Sequence, residues 1–183
     1  MSLIASFAAC LSLGPALWVQ TSKVEITPPE PLPLGGYTAR GNALFKDGGD
    51  SLHSRTLILT QDFTKVAIVS VEMLTVPRSL YLSVKEKLPD DLRLMLVATH
   101  THSAPDSQML NSRMTFAVPG IATYKRFWLE WYTNAIVAGI DKARASQPMR
   151  WVPEVTSAQV DANRGRREGA QPDKSFTTLR NGG

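Results

Sequence analysis

Two histidines separated by a single residue are the part of this sequence whose residue types and spacing best fit chemistry. His100 and His102 lie in the segment LVATHTHSAPD, residues 96–106, and the chain of 183 residues has only three histidines. An imidazole can bind a metal ion, transfer a proton or donate a hydrogen bond. The pair is therefore interpreted in three ways: two ligands of one metal, a ligand beside an acid–base or hydrogen-bonding group, or two polar residues at a strand end.

The apolar run before the histidines predicts a strand, and sites in α/β proteins collect at the carboxyl ends of strands. If the extended conformation continues, His100 and His102 project to the same side. Nearby polar side chains are then candidates to support them, three through hydroxyls that fix imidazole tautomers and one through a carboxylate that reaches the same pocket. They are Thr99, Thr101, Ser103 and Asp106. The HxH pattern also marks amidohydrolase barrels and metallo-β-lactamases, but the number of preceding strands argues against the first and the residue spacing against the second.

The segments before the histidines predict the scaffold that positions them. A short strand is predicted at Val24 and Ile26, followed by a long loop rich in proline and glycine. Near-continuous apolar runs at 55–60 and 65–74, joined by QDFT, predict a hairpin of buried strands. An amphipathic helix is predicted at 77–89, because Leu80, Val84 and Leu88 recur at helical spacing between prolines. A third buried strand is predicted at 92–100.

The segments after the histidines continue this alternation. A long helix is predicted at 124–148, with one apolar face made of Phe127, Trp131, Ile136, Ile140 and Ala143. A strand broken by Pro153 is predicted at 149–164, and 175–180 opens another. Since the helix at 77–89 joins two strands in the manner of a crossover, the predicted fold class is α/β, a mixed sheet with helices packed on it.

Composition places these elements in one globular domain, since 43% of the residues are hydrophobic. The net charge of +4 comes partly from basic residues in the last quarter, which we interpret as a solvated surface, because no nucleic-acid motif accompanies them. Cys10 is the only cysteine, so no internal disulfide can form. The uncharged run at 3–19 is typical of an export signal, and a buried N-terminal element or a membrane anchor is the alternative. We therefore expect residues 1–22 to be a leader, residues 23–183 to be the domain, and the protein to be exported.

The C-terminal segment predicts an incomplete domain. The chain ends in RNGG, a turn sequence that follows the opening of a strand and normally leads to a pairing partner. We therefore expect these residues to be a truncated part of a larger catalytic domain.

Several segments, taken together, are similar to a known family. They are ITPPEPLPLGGY at 26–37, RTLILT and VAIVSVEML within 55–74, VATHTHSAPD at 97–106, and DANR at 161–164. In this order they resemble the N-terminal part of the catalytic domain of the neutral/alkaline, non-lysosomal ceramidases. The resemblance covers most of residues 23–181, and the THTHS-x-P element is its most specific part.

The resemblance implies a reaction and three site residues. It implies a zinc-dependent hydrolase that cleaves the amide of ceramide, N-acylsphingosine, to sphingosine and a fatty acid, in a protein that is exported or touches a membrane surface. His100 matches a zinc ligand, His102 a residue that contacts the scissile amide or its product, and Arg164 an active-site arginine that binds the developing carboxylate. No further substrate-binding residue is assigned. The family's remaining metal ligands and its nucleophilic serine would lie in a missing C-terminal part, so this chain alone is expected to be inactive.

Two departures from the family pattern keep other functions open. Ala104 stands where the family motif usually has glycine, and Gly165 follows the Asn-Arg pair where serine is usual. The alternatives are a non-catalytic relative that acts as a binding or structural module, and an unrelated HxH metallohydrolase. His53 is interpreted as structural, and Glu72 as either a buried carboxylate near the site or a polar residue at a strand edge.

Overall fold

The computed structural model of the chain describes residues 17–44, 49–159 and 175–181. The strands in this part of the chain are β1 (Leu17–Glu25), β2 (His53–Gln61), β3 (Thr64–Val71), β4 (Leu92–Ala98), β5 (Met149–Trp151), β6 (Pro153–Gln159) and β7 (Ser175–Asn181). The helices are α1 (Arg78–Glu86) and α2 (Arg126–Ala145), with short 3-10 turns at Thr38–Arg40 and Ser107–Leu110. These elements agree in type and order with those expected from the sequence.

The mixed sheet arises from one hairpin and one crossover. β2 and β3 pair antiparallel around a two-residue turn in which Asp62 has a φ of 50°, a conformation that such tight turns require. β3 and β4 pair in parallel and are linked by α1. The five strands lie in the order β4-β3-β2-β1-β5. The predicted α/β fold class, a mixed sheet with helices packed on it, is therefore confirmed.

Alternation along the strands creates one buried face. Thr56 and Ile58 of β2, Val69 of β3 and Leu96 of β4 are buried, while their sequence neighbours are less so. The buried residues of the two helices join this face in a single hydrophobic cluster: Leu80, Val84, Trp128, Leu129, Tyr132, Ile136, Ile140 and Ala143. This core fixes the sheet, and with it the strand ends at which loops emerge.

Two expectations about burial need correction. β4 was expected to be buried throughout, but Met95 and Val97 on its other face are 53% and 41% exposed, because the core lies on one face of the sheet. On α2, Ile136, Ile140 and Ala143 lie in the core as expected, whereas Phe127 is 64% exposed. The apolar stripe at the start of the helix instead runs through Trp128, Leu129 and Tyr132.

The chain divides into two compact units: Val19–Met149, and the residues before and after it. The second unit contains the hairpin of β6 and β7, which pair antiparallel. β1 begins at Leu17, so it includes the last residues of the segment expected to be a leader, and the boundary at residue 22 stays a prediction. Among the described residues, no helix is both long and apolar enough to cross a bilayer.

Candidate functional site

The histidine segment leaves the sheet beside the segment that follows β3. Because β3 and β4 are parallel neighbours, their carboxyl ends meet at one edge, where α/β proteins build sites. The Thr99 N–H donates to the Val71 carbonyl at 2.9 Å, and the Thr101 N–H donates to the Met73 carbonyl at 3.3 Å. These bonds carry the pairing past the end of β4 and hold the histidines against residues 71–74.

The backbone turns sharply at His100 instead of remaining extended. β4 ends at Ala98, and His100 has a φ of 60°, which is uncommon for a residue with a side chain. The extended conformation that would place both imidazoles on one side of a continuing strand therefore does not continue to His102. The rings are nevertheless adjacent, in an edge-to-face arrangement with His100 and His102 centroids 5.2 Å apart. The turn at His100, rather than strand alternation, produces this proximity.

The exposed imidazole of His100 is oriented by a backbone carbonyl. Its Nδ1 lies 2.9 Å from the carbonyl oxygen of Leu74. Since that oxygen can only accept, Nδ1 carries the hydrogen, and in the neutral imidazole Nε2 then keeps its lone pair. Histidines that bind metals commonly donate their other ring N–H in this way. The geometry of His100 therefore suits a metal ligand that binds through Nε2.

The imidazole of His102 is enclosed by the loop that follows β1, and not by the segment that follows β3. The Tyr37 ring lies against it, with centroids 4.5 Å apart and planes tilted by 31°. The Arg40 guanidinium donates to the His102 carbonyl at 2.8 Å and also lies over the Tyr37 ring, 4.7 Å from its centroid. A Cβ placed on Gly36 would lie 2.0 Å from His102 Nδ1 and 2.3 Å from Cε1. The Nδ1–Cε1 edge of His102 therefore packs directly on the Gly36 backbone.

Tyr37 and Arg40 belong to this site, although the sequence did not identify them as site residues. The glycine–tyrosine pair contributed to the family resemblance, but no role in the site was assigned to it. Nothing in the sequence pattern around Arg40 indicated a functional residue. Backbone contacts bring their loop to the histidine segment: the Gly35 N–H donates to the Ala104 carbonyl at 3.3 Å, and Leu34 forms a β-bridge with Pro105. The signal that could have found Tyr37 is its place beside a glycine in a loop that otherwise has few aromatic residues.

The polar side chains expected to support the histidines have other roles. The buried carboxylate of Asp106 accepts from the Gln108 N–H at 3.0 Å and from the Ala122 N–H at 2.9 Å, so it fixes local turns and does not reach the imidazoles. The Thr101 hydroxyl accepts from the Ser103 N–H at 3.1 Å. The partner of the His100 ring is the Leu74 carbonyl, and not a hydroxyl of Thr99, Thr101 or Ser103.

Glu72 ties the start of β2 to the segment that leads to Leu74. Its carboxylate accepts from the His53 N–H at 2.7 Å and forms an ion pair with Arg55, while His53 Nδ1 lies 3.5 Å from it. Partial burial raises the pKa of Glu72. The hydrogen bonds from Arg55 and from the His53 backbone, together with the positive charge of Arg55, have the larger opposite effect, so the pKa lies below its ordinary value. These contacts place His53 beside the Glu72–Arg55 ion pair, in a structural position.

The described residues contain part of the predicted set of site residues. His100 and His102 lie together, whereas Arg164 lies outside the described residues, so its position stays a prediction. Within residues 17–44, 49–159 and 175–181, no group of three histidine, cysteine, aspartate or glutamate side chains could hold a metal ion.

A separate apolar cavity of about 500 Å³ lies where the loop after β1 meets the loop before α2. Leu32, Met109, Val118, Ile121 and Trp128 form much of its lining, and Lys125 contributes a charge. Its size is that of a site for a small organic molecule. Neither histidine lines it, so the cavity is distinct from the histidine pair.

The fold resembles that of part of two solved ceramidase structures. The structure of neutral ceramidase from Pseudomonas aeruginosa matches 80% of this chain with a TM-score of 0.65 and 18% identity. A structure described as ceramidase complexed with C2 matches 91% of the chain with a TM-score of 0.67 and 16% identity. This chain spans 24% and 29% of the lengths of those two chains. The fold is therefore similar to that of part of a neutral ceramidase, in agreement with the resemblance seen in the sequence motifs.

No protein-family model matches the chain, and no curated protein matches it. Identities of 16–18% support a common fold, whereas an activity depends on the residues of the site.

Proposed function

We propose that this segment supplies part of the active site of a zinc-dependent amide hydrolase that cleaves N-acylsphingosine to sphingosine and a fatty acid. The observation that carries the proposal is the orientation of His100, whose Nδ1–H is held by the Leu74 carbonyl and whose Nε2 is free to bind a metal. The likeness in fold to neutral ceramidases and the THTHS-x-P motif support it. His100 is the one zinc ligand that we assign to the described residues.

Hydrolysis of an amide requires activation of its carbonyl group and stabilisation of the negative charge that develops on the carbonyl oxygen. Bound zinc would polarise the amide carbonyl or lower the pKa of a water molecule. In the proposed site, His102 lies beside His100 and offers a hydrogen bond to the reacting amide or to its product. Arg164 is proposed to bind the carboxylate that forms when the C–N bond breaks and water supplies OH to the acyl carbon and H to the nitrogen.

The substrate class also suits the apolar cavity. Its volume of about 500 Å³ and its largely apolar lining would accept an alkyl chain such as those of a lipid amide. Export, contact with a membrane surface and sphingolipid metabolism follow from the family resemblance and remain part of the proposal. Nucleic acid is not a proposed partner.

The proposal is tested by zinc calorimetry on the chain and on His100→Ala. A single histidine ligand with its second nitrogen on a carbonyl binds zinc weakly, and we expect the substitution to weaken binding by more than about tenfold, or about 1.4 kcal/mol. His53→Gln is the matched control, because it removes the histidine that lies beside the Glu72 carboxylate, and it should bind zinc like the wild type. Equal zinc binding by the wild type and His100→Ala would contradict the assignment.

A further inference from the structure

The two histidines differ in what their Nδ1 atoms meet. His100 Nδ1 faces the Leu74 carbonyl at 2.9 Å, so the contact is a hydrogen bond only if Nδ1 carries the hydrogen. His102 Nδ1 is buried and has no hydrogen-bond partner among the described residues. Nδ1 therefore faces a hydrogen-bond acceptor in His100 and none in His102.

Burial without an acceptor decides where the hydrogen of neutral His102 sits. A buried N–H without a partner loses its hydrogen bond to water without a replacement, and among backbone groups orphaned N–H donors are rarer than under-satisfied carbonyl acceptors. The Gly36 backbone packs on the Nδ1–Cε1 edge so closely that even a methyl group would collide with it at 2.0 Å. The Nε2–H form avoids an orphaned donor at this edge and presents its donor on the other side of the ring.

We propose that the fold holds the two histidines in opposite tautomers. His100 is the Nδ1–H form, with the Nε2 lone pair free for a metal ion, and His102 is the Nε2–H form, with a donor for an oxygen atom of the substrate, such as the amide carbonyl oxygen. The proposal deepens the proposed function, on which its catalytic meaning rests. It also argues against His102 as a second metal ligand, because ligation through Nε2 would force a hydrogen onto the buried Nδ1.

Gly36, Tyr37 and Arg40 are positioning residues in this arrangement. Tyr37 covers one side of the His102 ring, and Arg40 holds both the His102 carbonyl and the Tyr37 ring. Gly36, at a φ of 92°, allows the backbone to approach the ring. The three residues therefore keep the Nδ1–Cε1 edge enclosed and the Nε2 side available.

Long-range proton–nitrogen correlation spectra of the nitrogen-15-labelled chain test the proposal directly. At about pH 8.5, free imidazole is neutral, since its ordinary pKa is about 6.5. We expect a protonated Nδ1 with an unprotonated Nε2 for His100, and the reverse pattern for His102. The same tautomer in both rings, or averaged nitrogen shifts for His102, would overturn the proposal.

Two glycine variants test the role of the enclosing loop. Gly36→Ala puts a methyl group against Nδ1, so we expect averaged nitrogen shifts for His102 and an unchanged pattern for His100. Gly41→Ala is the matched control, because Gly41 also has a positive φ, of 57°, but nothing within 4 Å of an added Cβ. Equal spectra for the two variants would overturn the role of Gly36. If Gly36→Ala does not fold, Tyr37→Ala provides the same comparison, and the wild-type spectrum already decides the tautomers.

Zinc titration in the same spectra separates this inference from the proposed function. Zinc should shift Nε2 of His100 and leave the His102 pattern in place. A chain that binds no zinc but shows opposite tautomers would contradict the proposed function and support the tautomer assignment. A chain that binds zinc through His100 while His102 carries its hydrogen on Nδ1 would support the function and overturn the tautomer assignment.

Discussion

Glu72 shows how a single side chain outside the histidine pair contributes to the geometry of the site. It accepts from the backbone of His53 and pairs with Arg55, both on β2, while its own N–H donates to the His53 carbonyl at 3.0 Å. These bonds fix the exit of β3, two residues before the Leu74 carbonyl that orients His100. The carboxylate therefore supports the site through the backbone and does not contact the imidazoles.

We expect Glu72→Gln to lower the free energy of unfolding by about 1 kcal/mol at neutral pH, because it removes charge-assisted hydrogen bonds that are partly exposed. The pKa of Glu72 is below its ordinary value of 4.5 in the folded protein, so its stabilisation is present above that value and is lost as the pH falls through the folded pKa. Urea unfolding of both proteins at about pH 7 and about pH 3 measures the difference.

The difference between the wild type and Glu72→Gln should shrink at the lower pH. Asp91→Asn is the control, because the ion pair of Asp91 with Lys65 is more exposed and its loss should cost less. A difference that is the same at both pH values would contradict the role of the Glu72 charge.

At the level of elements, α2 packs on the sheet through a stripe of buried apolar residues. In the first turn of the helix, this stripe differs from the one expected from the sequence. Ile136 and Ile140 are fully buried, whereas Phe127 projects to solvent and Trp128 takes the buried position beside it. Helical spacing permits either residue to begin the stripe. The position of Trp128, packed edge-to-face on Trp131, decides between them.

We expect Ile140→Ala to lower the free energy of unfolding by about 3 kcal/mol, because it leaves a cavity in the core. Phe127→Ala should cost less than about 1 kcal/mol, since the ring is mostly exposed. Urea denaturation of the two variants provides the comparison. An effect at Phe127 as large as that at Ile140 would support the apolar face expected from the sequence, which contains both residues, over the one described here.

For the whole molecule, β1 is the strand whose length differs most from the sequence-based prediction, which placed only a short strand at Val24 and Ile26. It runs from Leu17 to Glu25, and its side chains bind the end of α2: Gln20 donates to the carbonyls of Arg144 and Ser146, and Ser22 donates to that of Gly139. The expected leader of residues 1–22 would include two thirds of this strand. Removal of those residues would therefore remove part of the sheet.

We expect a chain that begins at residue 23 to be less stable than one that begins at residue 17, by at least about 2 kcal/mol. The shorter chain loses three side-chain hydrogen bonds to α2 and the buried side chain of Val19. Thermal and urea unfolding of the two truncated chains isolate the contribution of residues 17–22. Equal stability would show that a processing site at residue 22 is compatible with the folded sheet.

The sequence by itself determined the elements and their order. The near-continuous apolar runs of β2 and β3, the short turn between them and the proline-bounded helix before β4 are local features. Backbone geometry converts them into a hairpin and a crossover between parallel strands. The same local pattern placed His100 and His102 at a strand end. The THTHS-x-P motif then indicated the family to which the fold is similar.

Only the tertiary structure decided what surrounds each histidine. Tyr37 and Arg40 lie more than sixty residues before His102 in the chain, and loop packing brings them to its ring. The partner of His100 is a backbone carbonyl, that of Leu74, which any residue at that position could supply. Contacts between distant loops and contacts with the backbone leave no spacing pattern in a sequence, because packing and not local periodicity creates them. The distinct environments of the two imidazoles are therefore a property of the folded chain.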